Sequence, residues 1–357
     1  MRLGSLSTLE TLLTQSPVPR EARAPKPDGD PADSLSRLVG GFWIAGALYV
    51  MTKLGVADCL DQEPLRSEDL ALMTDTHAPS LYRVLRALTS VAVLREDENG
   101  YFTLTAVGQL LRSDTLESRR SFVLGELGGA SAQAWEDVLS SVKTGRPAQG
   151  AKSADSLWRD EEESLGDEAR VGGTAARLRA AILRGYNFSR VKTIVDVGGG
   201  DGIFLAFLLQ AYGPLHGVVF DSPRKVEAAQ HRVATEGVAQ RCAVLVGDML
   251  EAVPSGHELY MLREVLRQYQ DAQVVKILQN CRRAMLPRGK LLIIESVALE
   301  GNHPSLTKLH DLKLMVSSAG RERTEAEFTA LLCQAGLRVR RVIPTSSEVC
   351  IIEAGRG

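Results

Sequence analysis

The chain has 357 residues, of which 44% are hydrophobic and 24% charged, and its net charge is −2. This composition is typical of a globular protein of about two domains and excludes wholesale disorder. Because basic residues are not in excess, neither nucleic acid nor a membrane surface is expected as a partner. The five cysteines are scattered and form no CxxC pair, and no His, Asp and Glu cluster has ligand spacing. We therefore expect no disulfide framework, no metal site and a cytoplasmic location.

The N-terminal segment, residues 1–33, contains five prolines and few apolar residues, which predicts a mobile tail. From Ser34, a good N-cap residue, apolar residues recur at helical spacing, and residues 42–51 are apolar nearly all round. Such a helix is expected to be buried on several sides, against its own subunit or against a partner subunit. The longest apolar run, residues 38–51, is shorter than the roughly 20 residues that span a bilayer, so no membrane span is expected.

The next segment predicts two helices and two strands, at residues 67–73, 78–88, 91–94 and 101–104. Asn99-Gly100 between the two apolar runs is a strong hairpin signal. Two helices followed by a two-stranded wing form a winged helix-turn-helix, which either binds DNA or is a structural module of an enzyme. Its second helix carries Arg83 and Arg86 but no dense basic face, which favours the structural role. Residues 118–184 are predicted to be mostly helical.

The second half of the chain begins with a strand at residues 193–197, a glycine loop and a helix. Glycines let a backbone approach a ligand closely, and the start of the helix offers N–H donors. The spacing of Gly198, Gly200 and Gly202 is GxGxG, not the GxGxxG of dinucleotide enzymes. The following strand ends at Asp221, whose carboxylate either accepts both hydroxyls of a ribose or caps the next helix.

A third strand ends at Asp248-Met249, where a carboxylate can accept from an adenine amino group and a methionine can lie against the ring. Asp248 alone is more often a helix cap, but three consecutive strands that end in such groups select an adenosyl ligand over a dinucleotide. The remaining strands are predicted at residues 259–262, 290–295, 339–343 and 349–352. The last two are joined by a short connection and are therefore expected to be antiparallel. The fold class is thus α/β, with a doubly wound Rossmann-like sheet.

Five segments of the second half resemble the small-molecule O-methyltransferases of plant caffeate and bacterial polyketide pathways: Asp196-Val-Gly-Gly-Gly-Asp-Gly202, Phe220-Asp-Ser-Pro223, Gly247-Asp-Met249, Arg282-Arg-Ala-Met-Leu-Pro-Arg-Gly289 and Gly320-Arg-Glu-Arg-Thr324. Three segments of the first half resemble the winged-helix dimerisation domain of that family: Leu54-Gly-Val-Ala-Asp58, Ser80-Leu-Tyr-Arg-Val-Leu-Arg-Ala-Leu88 and Phe102-Thr-Leu-Thr105. The resemblance covers roughly residues 35–355.

This resemblance implies a dimerisation domain with linker helices over residues 34–185 and a class I catalytic domain over residues 186–357. It implies S-adenosylmethionine (SAM), or its product S-adenosylhomocysteine (SAH), as the ligand. The expected substrate is an aromatic or polyketide-type small molecule of secondary-metabolite or antibiotic biosynthesis. The expected assembly is a homodimer formed through the N-terminal helices.

The resemblance also implies site residues. Gly198 is expected under the methionyl part of SAM, Asp221 at the ribose, and Asp248 with Met249 at the adenine. Arg263 falls where the family places a lysine near the cofactor. The full set assigned to cofactor binding is Gly198, Gly200, Asp221, Ser222, Asp248, Met249 and Arg263.

The catalytic position departs from the family pattern, because Arg267 stands where the family has a histidine base. Glu295 and Glu322 match the two acidic residues that flank that base. An arginine stays protonated and cannot accept a proton. Three routes remain open: Arg267 stabilises a phenolate, another residue (Glu264, Glu322 or His310) is the base, or the acceptor is already acidic. His310 is more often an ordinary core or surface histidine.

One rival hypothesis follows from the same departure. The family includes SAM-binding members that carry out hydroxylation, decarboxylation or pericyclic steps without methyl transfer. An added cation at Arg267 would suit such a reaction as well. A binding or regulatory protein is the third and weakest alternative.

Overall fold

The computed structural model describes residues 30–115, 118–148, 174–318, 320–347 and 349–357. Most of the predicted tail, residues 1–29, lies outside this range. The first helix, α1, spans Pro31–Lys53 and is capped by Asp30, which accepts a hydrogen bond from the Ala32 N–H at 3.1 Å. The expected start at Ser34 is therefore wrong. An Asp N-cap followed by proline at the first helical position is a stronger start signal than Ser34.

Helix α1 is not buried within its own subunit, which leaves the partner subunit as the favoured one of the two surfaces that the sequence left open. Only Met51 and Thr52 are buried, whereas Phe42 is 82% and Trp43 68% exposed. The helix is also long and apolar enough to cross a membrane by length and composition alone. Helices that pack against protein meet the same two criteria, so this finding is weak evidence for a span.

The winged helix is confirmed and has one strand more than expected. Its elements are α2 (Val56–Cys59), β1 (Leu65–Arg66), α3 (Ser67–Met73), α4 (Ala78–Thr89), β2 (Leu94–Glu96), β3 (Tyr101–Leu104) and α5 (Ala106–Gln109). The antiparallel sheet has the order β1-β3-β2. Strand β2 starts at Leu94 and not at Val91, because Ala92 has a positive φ of 55° and breaks the extended run.

A set of helices connects the two halves of the molecule: α6 (Arg120–Leu127), α7 (Gly129–Ala134), α8 (Val138–Thr144) and α9 (Thr174–Gly185), with a 3₁₀ turn at Trp135–Asp137. Ile182 of α9 is fully buried and belongs to the same apolar cluster as Phe204 and Leu292 of the second half. Helix α9 therefore packs on the large sheet.

The large sheet has seven strands: β4 (Thr193–Val197), β5 (His216–Asp221), β6 (Cys242–Val246), β7 (Leu259–Arg263), β8 (Lys290–Ser296), β9 (Leu337–Pro344) and β10 (Val349–Arg356). Their order is β6-β5-β4-β7-β8-β10-β9. Strands β4 to β8 are parallel, whereas β10 pairs antiparallel with both β8 and β9, as the short connection predicts. The strand order reverses between β4 and β7, and ligands of such sheets bind at the carboxyl ends beside this reversal.

Five helices pack with this sheet: α10 (Ile203–Ala211), α11 (Pro223–Thr235), α12 (Asp271–Ala284), α13 (Leu306–Ser317) and α14 (Glu325–Gln334). Two apolar clusters cover the two faces of the sheet, one under α10 and α11 and the other under α12 and α14. Helix α13 contacts the segment that follows α8, since the Ala148 N–H donates to the Val316 carbonyl at 2.9 Å.

Candidate functional site

The glycine loop lies at the carboxyl end of β4, close to the next strands. Gly198 has a φ of +73°, and its N–H donates to the Phe220 carbonyl at 2.8 Å. A Cβ at Gly198 would lie 2.7 Å from Val265 Cγ2 and 3.2 Å from Met249 Cε, so only glycine fits there. At Gly200, by contrast, a Cβ would meet nothing within 4 Å. The loop thus combines a tightly packed side with an open side.

Asp221 is anchored to this loop by two backbone donors. Its Oδ2 accepts from the Gly200 N–H at 2.8 Å, and its Oδ1 accepts from the Ser222 N–H at 2.6 Å. A carboxylate has about four acceptor positions, so both oxygens keep capacity for two ribose hydroxyls. Ser222 is the N-cap residue of α11, and its side chain makes no capping hydrogen bond.

Asp248 and Met249 follow β6, the next strand along the sheet. Asp248 is exposed, and its Oδ1 accepts from the Leu250 N–H at 2.8 Å. One oxygen of this carboxylate is therefore used in a hydrogen bond within the local turn. Met249 is buried, and its carbonyl accepts from Asn280 Nδ2 at 2.8 Å. Its side chain approaches Gly198, which places the end of β6 beside the glycine loop.

Two buried polar atoms near the loop have no hydrogen-bond partner among the described residues: Asp196 Oδ2 and Arg263 Nε. Burial raises the pKa of Asp196 to about 7, although the positive charge of Arg263 opposes this rise. The Arg263 guanidinium lies 5.1 Å from the centre of the Phe204 ring and 3.1 Å from Glu264. Unsatisfied buried polar atoms beside an open, glycine-lined surface fit a polar ligand such as SAM.

Arg267 lies on a 3₁₀ turn, Leu266–Gln268, that follows β7. Its guanidinium lies 3.2 Å from Glu264 Oε1 and 3.6 Å from Glu322 Oε1, and its side chain is 11% exposed. Glu264 has a φ of +56°, a left-handed conformation that costs energy in a residue with a side chain. Such strain is typical of sites where a side chain must be held in place.

The carboxyl groups around Arg267 differ in their pKa values. Burial raises the pKa of Glu295 to about 8 and that of Glu322 to about 7, with Arg267 opposing both shifts. Burial also acts upward on Glu264, but the charges of Arg267 and Arg263 outweigh it and hold its pKa below the usual value. His310, on α13, adds to this lowering, so it lies within electrostatic range of Glu264.

The structure therefore brings together Arg267, Glu322 and Glu295, which the sequence analysis singled out, and places His310 within electrostatic range of Glu264. Glu295 is fully buried, and its Oε1 accepts from the Leu266 N–H at 2.7 Å. This carboxyl contacts the backbone of the turn that carries Arg267.

Sequence reasoning did not single out Arg323, the largest fully buried side chain of the described residues. Arg323 donates to the carbonyls of Leu266 and Tyr269 on either side of the turn. The residue lies within the quoted segment Gly320-Arg-Glu-Arg-Thr324, so a signal was present. Nothing in that short segment distinguishes a buried arginine from an exposed one.

Comparison with known families decides the assignment. Residues 147–338 match the model of the O-methyltransferase domain, and residues 36–114 match that of the O-methyltransferase dimerisation domain. The chain belongs to the O-methyltransferase family. The resemblance, the fold class and SAM as the cofactor are thereby confirmed. The dimerisation domain supports a homodimer.

Relatives span almost the whole chain. The protein is 38% identical over 325 residues to the phenazine O-methyltransferase PhzM of Lysobacter antibioticus, which covers 90% of this chain and 95% of the relative. It is 32% identical over 318 residues to the 8-amino-8-demethylriboflavin N,N-dimethyltransferase of Streptomyces davaonensis, and the match covers 87% of this chain and 91% of the relative. The SAH-bound structure of a calicheamicin-biosynthesis methyltransferase matches with a TM-score of 0.79 and 33% identity, covering 92% of this chain and 100% of that one. This protein is a SAM-dependent methyltransferase of secondary metabolism.

Proposed function

We propose that this methyltransferase acts on a hydroxyl oxygen of an aromatic or polyketide-type metabolite. Arg267 occupies the position of the family's histidine base and stabilises the acceptor oxygen. The observation that carries the proposal is the position of Arg267, between Glu264 and Glu322 on the turn after β7. This turn is close to the glycine loop, since Val265 packs against Gly198. All five cysteines are free, and three of them (Cys59, Cys333 and Cys350) are not fully buried, which is compatible with the cytoplasmic location that we include in the proposal.

We assign the cofactor contacts as follows. Asp221 accepts the ribose hydroxyls, Asp248 and Met249 contact the adenine, and Gly198 and Gly200 lie beneath the methionyl part. Arg263 and Ser222 complete this set. When bound, SAM supplies an electrophilic methyl group on a positively charged sulfur. The protein's main task is to hold the acceptor oxygen in line with that group.

Arg267 stabilises the acceptor oxygen and takes no part in proton transfer. Its guanidinium stays charged, so it stabilises an oxygen anion but cannot remove a proton. A phenol with a pKa of about 10 is roughly 0.1% ionised at neutral pH. A fixed positive charge next to the oxygen raises that fraction, and an acidic hydroxyl, such as that of a hydroxyquinone, is ionised without help. We therefore propose an acidic hydroxyl or carboxyl as the methyl acceptor.

This arrangement favours oxygen over nitrogen as the acceptor atom. The relative from Streptomyces davaonensis is named as an N,N-dimethyltransferase, so nitrogen is the second candidate. An amine gains positive charge as it attacks, and Arg267 would repel that charge. An oxygen anion loses its negative charge as it attacks the methyl group. Until then, the positive charge of Arg267 attracts the anion and keeps it at the site.

The test uses methyl-labelled SAM and one aromatic skeleton that carries hydroxyls of graded acidity or an amino group. We expect the label on oxygen, with the most acidic hydroxyls reacting fastest, and a roughly 100-fold lower turnover for Arg267→Ala at unchanged SAM affinity. Label on nitrogen would support the second candidate. Unchanged turnover of Arg267→Ala would make the arginine a bystander. An acceptor that changes mass without gaining a methyl group would favour the non-methylating alternative.

The pH dependence of the same assay separates the remaining routes. If the acceptor ionises unaided, kcat/KM follows the pKa of the acceptor, and His310→Asn leaves the profile unchanged. If His310 is a base, His310→Asn lowers kcat and removes one limb of the profile. Glu322→Gln tests in the same way whether Glu322, a buried carboxyl with a pKa of about 7, is the base.

A further inference from the structure

The turn that carries Arg267 is held by groups from outside itself. A single 3₁₀ turn has few internal hydrogen bonds: here the Gln268 N–H donates to the Val265 carbonyl at 3.1 Å, and the Tyr269 N–H donates to the Leu266 carbonyl at 3.2 Å. The Arg267 carbonyl accepts from the Arg321 N–H at 2.8 Å. The position of the turn therefore depends on its neighbours.

Arg323 is the side chain that holds this turn from both ends. Its Nη1 donates to the Leu266 carbonyl at 2.8 Å and its Nη2 to the Tyr269 carbonyl at 2.7 Å. Its Nε and Nη2 both donate to Asp271 Oδ1, at 3.0 and 2.8 Å. The two carbonyls bracket Arg267 in the chain, so one rigid guanidinium fixes the backbone before and after it.

The chemistry of Arg323 suits positioning better than it suits stability alone. Arg323 is fully buried, and burying a charged group is costly unless it is well paired. An apolar side chain of similar volume would often contribute as much to stability. What an apolar side chain cannot supply is a planar fork of donors that reaches two carbonyls and a carboxylate at once.

We propose that Arg323 is a positioning residue for methyl transfer, which sets the place of the Arg267 guanidinium through the turn Leu266–Gln268. This inference rests on the proposed role of Arg267. Arg323 itself has no exposed surface and acts only through the turn. Because misplacing a reacting group by about 1 Å can cost roughly 100-fold in rate, a small shift of the turn is enough to lower turnover.

The test is the variant Arg323→Lys, which keeps the charge but loses the fork. We expect kcat to fall roughly 10- to 100-fold while the dissociation constant of SAM changes less than about twofold. Arg241→Lys is the matched control, because Arg241 also donates to two backbone carbonyls, those of Tyr212 and Leu215, away from the catalytic turn. The control should keep the wild-type kcat.

A double-mutant cycle separates positioning from general stability. In the Arg267→Ala background, Arg323→Lys should cause no further loss of kcat, because the group that it positions is gone. An equal loss in both backgrounds would overturn the positioning role and leave a structural one. Wild-type turnover of Arg267→Ala alone would instead show that the proposed function fails, whatever Arg323→Lys does.

A second variant keeps the inference testable if Arg323→Lys does not fold. Asp271→Asn removes the negative charge of the half-exposed carboxylate that pairs with Arg323. It leaves the contacts of Arg323 with the Leu266 and Tyr269 carbonyls available. It should lower kcat in the same direction by a smaller factor, again only when Arg267 is present. A loss of SAM affinity without a change in kcat would contradict the proposal.

Discussion

At the scale of single residues, Asp221 is the proposed ribose contact and is held against the glycine loop. Its carboxylate accepts from the Gly200 and Ser222 N–H groups, so its direction is fixed before any ligand binds. Asp221→Ala should weaken SAM binding more than about tenfold, because a held acceptor for two hydroxyls is lost. Calorimetric titration with SAM measures this change.

The matched control is Glu258→Ala. Glu258 also accepts from a backbone N–H, that of Lys192 at 2.7 Å, but at the amino ends of the strands. Its removal should leave SAM affinity at the wild-type value. Unchanged affinity of Asp221→Ala would disprove the ribose assignment.

Glu295 makes the stability of the protein depend on pH. Its folded-state pKa of about 8 lies above its ordinary value of 4.5, because it is buried. Between these two values the folded protein keeps a proton that the unfolded chain has released. The stabilisation from this group is therefore complete below the lower value and decreases as the pH rises towards the upper one.

Glu295→Gln should show this directly, because glutamine does not titrate and its oxygen can still accept from the Leu266 N–H. Relative to wild type, the variant should gain free energy of unfolding steadily from about pH 5 to about pH 8. Denaturant unfolding of the SAM-free protein at several pH values measures the difference. Glu251→Gln, at an exposed glutamate, serves as the control, and a difference independent of pH would refute the assignment.

The residues that sequence reasoning placed correctly near one another share a simple property. Asp221 ends β5, whereas Gly198 and Met249 lie just after the ends of β4 and β6, and the ends of parallel strands meet at one edge of the sheet. Arg323 and Asp196 were not assigned a role because what distinguishes them is their burial, with many hydrogen-bond partners for Arg323 and an unpartnered oxygen for Asp196. Burial of a charged side chain depends on packing between distant segments, which local patterns do not contain.

At the scale of elements, the close approach of the Gly320 loop restricts the position of the turn that carries Arg267. A Cβ at Gly320 would overlap the carbonyl oxygen of Arg267. Gly320→Ala should therefore displace the turn, cost about 1–3 kcal/mol of stability and lower kcat, with SAM affinity unchanged. Thermal unfolding and steady-state kinetics measure these effects.

Gly213→Ala is the control for this substitution. A Cβ at Gly213 meets nothing within 4 Å, and the backbone there is not left-handed. The control should match wild type in both assays. If Gly320→Ala also matched wild type, the turn would tolerate displacement, and the positioning argument for Arg323 would lose its basis.

Element boundaries were predicted less well than element types, for local physical reasons. The sequence signals for α1 include both Asp30-Pro31 and Ser34, and the first pair prevails because proline fits the first helical position without losing a hydrogen bond. Strand β1 was missed because it has only two residues, Leu65–Arg66, too few for an alternating pattern to show. Its place in the sheet comes from pairing with β3.

At the scale of the whole molecule, the doubly wound sheet was predictable because strands and helices alternate along the second half. The surroundings of α1 were not predictable in the same way. An apolar helix looks identical in sequence whether its own subunit, a partner subunit or lipid covers it. The exposed side chains of α1, together with the dimerisation domain, favour the partner subunit.

The dimer gives the last prediction. Phe42 is 82% exposed in the single subunit, and covering a phenylalanine contributes about 1.5–3 kcal/mol, twice in a symmetric pair. Phe42→Asp should therefore convert the protein from a dimer to a monomer of 38.7 kDa in sedimentation velocity. The control is Leu286→Asp, at a 41% exposed leucine in the second half of the chain, which should stay dimeric. A Phe42→Asp protein that remains dimeric would move the interface away from α1. Wild-type protein that sediments with lipid vesicles would assign the helix to a membrane instead.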